Sequence, residues 1–109
     1  MELKLNIYEK KEIVKTYTAD TYDVMFGTLE DVINAIDFEG IKKGTDAELI
    51  LAVSKAIPRV FNIIKPLFKD IFDGLTDDEI KQCKVKEMAA VIVNLIIFTM
   101  REAGDPEKN

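Results

Sequence analysis

The residues able to do chemistry are few in kind. The chain contains no histidine, so the commonest general base and the commonest nitrogen ligand for a metal are both missing. Its one cysteine, Cys83, can form neither an internal disulfide nor a Cys–His pair, and alone it makes no structural zinc site. The basic neighbours in KQCKVK favour a lowered thiol pKa. No base or orienting group accompanies them, and the expected role is an inert packing thiol. Asp77, Asp78 and Glu79 directly follow Thr76, which places them in the first turn of a helix, where negative charge complements the helix dipole. Asp20, Asp23, Glu30 and Asp31 fall on helix positions that point in different directions, the pattern of a solvated face. DFEGIKKGTDAE lacks the D-x-[DN]-x-[DN]-G spacing of a calcium loop, and GIKKGT is not a phosphate-binding loop. The sequence therefore predicts a protein that is not an enzyme, with no metal and no cofactor.

The elements carrying these residues are well patterned. In ELKLNIY, Leu3, Leu5 and Ile7 alternate with Glu2, Lys4 and Asn6, the period of a half-buried strand. A turn at 9–11 and the β-branched EIVKTYTA predict an antiparallel hairpin over residues 1–19. Such a hairpin is marginal alone, so its apolar face must rest on helices or on another subunit. From Asp20 the period becomes helical through Tyr22, Phe26, Leu29, Ile33 and Ile36, with Asp20 as N-cap, Gly27 as a weak point and Thr28 with Asp31 as a variant capping box restarting the helix over 29–37.

After a loop bracketed by Gly40 and Gly44, Thr45 and Glu48 form a capping box. The segment behind it carries a stripe of Leu49, Val53, Ile57, Val60, Ile64, Phe68 and Ile71. Pro58 and Pro66 predict breaks near Ile57 and Lys65. Gly74 stops that run, Thr76 and Glu79 open a short helix to about Lys84, and a last helix runs over 85–103 to Gly104. The expected fold is α+β, mostly α: an N-terminal β-hairpin followed by a bundle of four or five helices, one domain over 1–104, with 105–109 a polar mobile tail.

A net charge of -5 and a pI near 4.8 argue against nucleic acid as a partner. The basic spots Lys10-Lys11, Lys42-Lys43 and Lys81, Lys84, Lys86 carry no interleaved aromatics. MAAVIVNLIIFTM, over 88–100, is too short to span a bilayer and is flanked by Glu87 and Arg101. The charged N-terminus is no signal peptide. A lone cysteine suits a reducing cytoplasm. The last helix is apolar almost all round, so it is either the centre of the bundle or shares one face with a partner. On that ground the candidate partner-binding residues are Val91, Leu95, Ile96 and Phe98, with Phe61, Phe68 and Phe72 second; ordinary core packing accounts for each of them singly as well.

KTYTADTYDVMFGTLEDVINAID, FKDIFDGLTDDEIKQCKVKEMAAVIVNLIIFTM and the overall size resemble the tail assembly chaperones of long-tailed bacteriophages and prophages of Gram-positive bacteria, over nearly the whole chain. The resemblance implies a non-enzymatic protein of the host bacterial cytoplasm, not part of the mature virion. It would bind and solubilise the helical tape measure protein and help recruit the major tail protein. Many members also have a frameshifted longer form. If Glu107-Lys108-Asn109 are encoded GAA AAA AAC, the message contains a slippery A AAA AAC heptamer, and the reading frame would continue one base back.

No individual binding residue transfers from that family. Other readings of the same residues are a structural phage component, such as a head–tail joining or tail-completion protein, a small regulatory protein-binding module, and an enzyme borrowing its missing groups from a cofactor or second chain. The hairpin edge leaves a homo-oligomer open.

Overall fold

The structure, a computed structural model, describes residues 2–35 and 45–98. Its order is β1 (Glu2–Glu9), β2 (Glu12–Asp20), a 3-10 turn (Thr21–Asp23), α1 (Phe26–Ala35), α2 (Asp46–Ala56), a second 3-10 turn (Ile57–Val60), α3 (Phe61–Ile71), α4 (Asp77–Ile80) and α5 (Val85–Phe98). The α+β, mostly helical architecture read from the sequence is the one observed. The predicted loop at Gly40 and Gly44, the helix end at Gly104 and the polar tail lie outside the described residues.

The two strands pair antiparallel, with Leu3 opposite Ala19, Leu5 opposite Tyr17 and Ile7 opposite Lys15. Leu3, Leu5 and Ile7 are buried while Glu2 and Lys4 are exposed, as period-two alternation requires. Ile7 faces Lys15 whereas Tyr8 faces Ile13, so Val14 is an extra residue, a β-bulge that bends the distal end of β2. The two-residue turn is made by Lys10 and Lys11 at φ of 52° and 72°, left-handed geometry that fits a hairpin but suits Asn and Gly better than Lys. The apolar face of the hairpin rests on the helices of its own chain: β1 packs beside α5, and the Tyr8 amide donates to the Gln82 carbonyl at 2.9 Å.

Helix starts follow the local chemistry. Both capping boxes form: Thr45 with Glu48 opens α2, and Thr76 with Glu79 opens α4. Pro58 ends α2 in a 3-10 turn, as predicted. Pro66, by contrast, lies inside α3 without breaking it. Pro66 and Asn62, whose carbonyl loses its partner, are both exposed, so water can satisfy the freed group.

Asp20 caps only the 3-10 turn, its carboxylate accepting from the Tyr22 amide at 3.0 Å. Extended Val24 then interrupts the chain, and α1 passes straight through Gly27 and Thr28. The predicted Thr28–Asp31 box does not form; the Thr28 hydroxyl donates instead to Asp70 on α3. The short helix α4 ends at Ile80, earlier than the predicted Lys84.

The core gathers Leu3, Leu5 and Ile7 from the hairpin, Val53 and Ile57 from the α2 end, Ile64, Phe68 and Ile71 from α3, and most of α5. Five of the seven residues of the predicted stripe are buried, and Leu49 and Val60 pack against the cluster. Helix α5 sits at the centre, touched by β1, α1 and α2, which is why a helix can be apolar on nearly every side.

Candidate interaction surface

The interface residues expected on the last helix are core residues. Val91 and Leu95 are 2% and 1% exposed, and Ile96 and Phe98 are buried with them. Phe68 and Phe72 are buried and meet edge to face at 6.0 Å, and Phe61 packs partly buried against the same cluster. In this fold six of these seven side chains offer a partner almost no surface, and Phe61 offers a part of its ring. Central placement of α5, the alternative held open by the sequence, accounts for its composition.

The exposed apolar surface is elsewhere. Tyr22, Met25 and Phe26, where the first 3-10 turn leads into α1, are 74%, 67% and 75% exposed. On α1, Phe26, Leu29 and Ile33 share one face at i, i+3 and i+7. Leu29 reaches the core while Phe26 and Ile33 remain outside. The opposite face of α1 is polar and turns Thr28 and Asp31 toward α3, across an open groove floored by Ile63, Pro66 and Leu67. Helix α1 is thus held by its polar side and by Leu29, and much of its apolar side is free of the core. Tyr22 stands against Phe98 at the end of α5, ring centroids 5.0 Å apart and nearly perpendicular, so the exposed patch is anchored at one end to the core.

The segment that carries this patch is one-sided in charge. Residues 16–41 hold six acidic residues, Asp20, Asp23, Glu30, Asp31, Asp37 and Glu39, and not one lysine or arginine. The remainder of the chain is therefore almost neutral, and the whole negative balance of the protein belongs to the segment that carries the exposed patch. Asp23, Glu30 and Asp31 are exposed. Among the described residues, the ion pairs Lys15–Glu79, Lys65–Asp77 and Lys69–Asp77 lie outside this segment.

Two polar networks hold the hairpin and account for the carboxylates that attract most contacts. The Tyr17 hydroxyl donates to Glu79 at 2.6 Å, the Thr76 amide donates to the same oxygen at 3.0 Å, and Lys15 pairs with the other at 3.2 Å. The Tyr17 hydroxyl first, then the Thr76 amide and Lys15, hold the Glu79 carboxyl well below the usual range, at about 2. On the other side, Tyr8 and Asn6 both donate to Glu87 in the first turn of α5, and Lys84 lies 4.4 Å over the Tyr8 ring. Glu79, held ionised by donors within the protein, is a fastener and a poor proton carrier at neutral pH.

Cys83 is half-buried, its thiol directed at the Glu79 carbonyl. Burial, reinforced by Glu87 and Glu79, pushes its pKa up to about 11. Burial first and then these two acids, rather than the lysines beside it in sequence, set its reactivity.

Among the described residues no group of three or more Cys, Asp or Glu is placed to hold a metal ion, and no helix is long and apolar enough to cross a membrane. The exposed patch was invisible to sequence reasoning because Tyr22, Phe26 and Ile33 have the same helical spacing as core residues. The one available signal was the absence of basic residues over 16–41. No family model, curated protein or solved structure matches the chain.

Proposed function

We propose that this chain is a tail assembly chaperone of a long-tailed bacteriophage or prophage. It binds the tape measure protein without chemistry, keeps that client soluble, helps recruit the major tail protein, acts in the bacterial cytoplasm and leaves before the virion is complete. The observation that carries the reading is a small domain that closes its own core and still displays three large apolar side chains, Tyr22, Met25 and Phe26, on a segment that has acidic residues and no basic ones.

Side chains of this size, more than two-thirds exposed, present on the order of 400 Å² of surface, within the range that marks an interaction site on a small protein. Apolar contact supplies affinity without direction, so one patch can engage successive turns of a long helical client and release them. Negative charge around it keeps unoccupied copies apart.

Co-expression with the tape measure protein tests the reading. Its soluble yield should rise, and the two chains should co-purify. An unchanged yield, with the major tail protein also present, would end the chaperone assignment. Detection of the chain in purified virions by mass spectrometry would instead favour a structural tail or head–tail component.

A further inference from the structure

We infer that the exposed face built by Tyr22, Met25, Phe26 and Ile33 is a docking surface for one kind of partner: an amphipathic helix whose apolar stripe is edged by lysine and arginine. The inference rests on the chaperone reading and names the client chemistry that the reading requires.

Its first support is the orientation of α1. An isolated helix of 10 residues is marginal in water, and packing of its apolar face normally stabilises it. Here the polar face is the one turned to α3, through Thr28 and Asp70, while Phe26 and Ile33 face outward. A helix so placed has Phe26 and Ile33 available to a second helix, and two side chains seven residues apart on one face are spaced as the anchors that helix-against-helix docking uses.

The second support is charge. Asp23 and Glu30 border the apolar stripe, Asp31 lies farther round α1, and no basic residue occurs over 16–41. A partner helix with basic edges would bring opposite charges together along the contact, giving specificity and faster association. An acidic helix would meet repulsion, and so would a second copy presenting this same face or a membrane rich in anionic lipid. The hairpin tip of another copy, where Ile13 and Val14 are exposed beside Lys10, Lys11 and Lys15, is a weaker fit. It offers two aliphatic side chains and no helical spacing.

The test uses the full chain and two labelled synthetic helices about 18 residues long, one with a leucine stripe and lysine edges, the other its glutamate-edged twin. Fluorescence anisotropy should show binding of the lysine helix, at least tenfold weaker binding of the glutamate helix, and loss of affinity as NaCl rises from about 0.05 to 0.5 M. Met25→Ser with Phe26→Ser should lower the affinity tenfold or more and leave the melting temperature unchanged, because both side chains are exposed. Asp23→Asn with Glu30→Gln should remove most of the preference for lysine edges.

Equal binding of both helices would overturn the inference, as would undiminished binding by the serine variant. A large fall in that variant's melting temperature would show the face to be internal and would also overturn it. So would a concentration-dependent rise in mass by light scattering that Lys10→Glu with Lys11→Glu abolishes, since the face would then belong to a second copy. The same serine variant in the co-expression assay separates the two levels: client rescue by the natural chain but equally by the variant refutes this surface and spares the chaperone function.

Discussion

Replacing Lys10-Lys11 with Asn-Gly should stabilise the protein. Both lysines sit at positive φ, where an L-residue with a Cβ is strained by roughly 1–2 kcal/mol. Glycine at the second position removes that strain but returns about 0.5–1 kcal/mol through its freer unfolded chain, and asparagine at the first relieves part of the remainder. The net gain is about 1 kcal/mol. For a domain near 100 residues that raises the melting temperature by roughly 4–8 °C. Neither lysine contributes to the core, so packing is untouched.

Circular dichroism melts and urea titrations of the natural chain, the Asn-Gly variant and a Lys10→Gln/Lys11→Gln control provide the comparison. The control removes the same charges and keeps the strained backbone, so it should melt with the natural chain. A gain in the control equal to that of Asn-Gly would mean that charge was responsible. No gain in Asn-Gly would mean that the turn is not the tight left-handed one, and the register of the hairpin would have to be redrawn.

Ile92→Ala, at a fully buried position on the central helix, should cost about 2–5 kcal/mol in urea unfolding; a cost below about 1 kcal/mol would contradict the core placement of α5. The Glu79 carboxyl is held at about 2 when folded, against 4.5 when free. Its stabilising effect is therefore complete above about 4.5 and is lost as pH falls toward 2. Glu79→Gln should flatten that part of the melting-temperature profile, and a variant profile parallel to the natural one would rule the clamp out. Cys83, with its pKa near 11, should react with iodoacetamide at pH 8 far more slowly than an unfolded control; equal rates would refute the burial. The Thr21 hydroxyl is buried with no hydrogen-bond partner among the described protein atoms, so Thr21→Val should be neutral or stabilising by about 1 kcal/mol, and a clear loss in thermal melts would reveal a partner for it.

What the sequence by itself determined are the features set within a few residues. Alternation of Leu3, Leu5 and Ile7 defined a strand, and the Thr45–Glu48 and Thr76–Glu79 pairs defined helix starts, because a cap joins a side chain to an amide three residues on. Pro58 ended its helix because it has no N–H to donate to the carbonyl of Ser54, four residues back. The same local view failed at Thr28, whose hydroxyl had a choice between Asp31 nearby and Asp70 on another helix. It failed again at Pro66, where exposure made the lost hydrogen bond tolerable.

Only the tertiary structure decided which apolar residues are core. Val91, Leu95, Ile96 and Phe98 fit a central helix or an interface equally well by pattern, and their burial depends on β1, α1 and α2 closing around α5. Phe26 and Ile33 carry the spacing of core residues and remain outside, because α1 is held by Thr28 and Leu29 instead. Hydrophobic periodicity states that a face is to be buried. What buries it, the chain itself or a partner, depends on how distant segments pack, and that packing is not encoded in any single window of sequence.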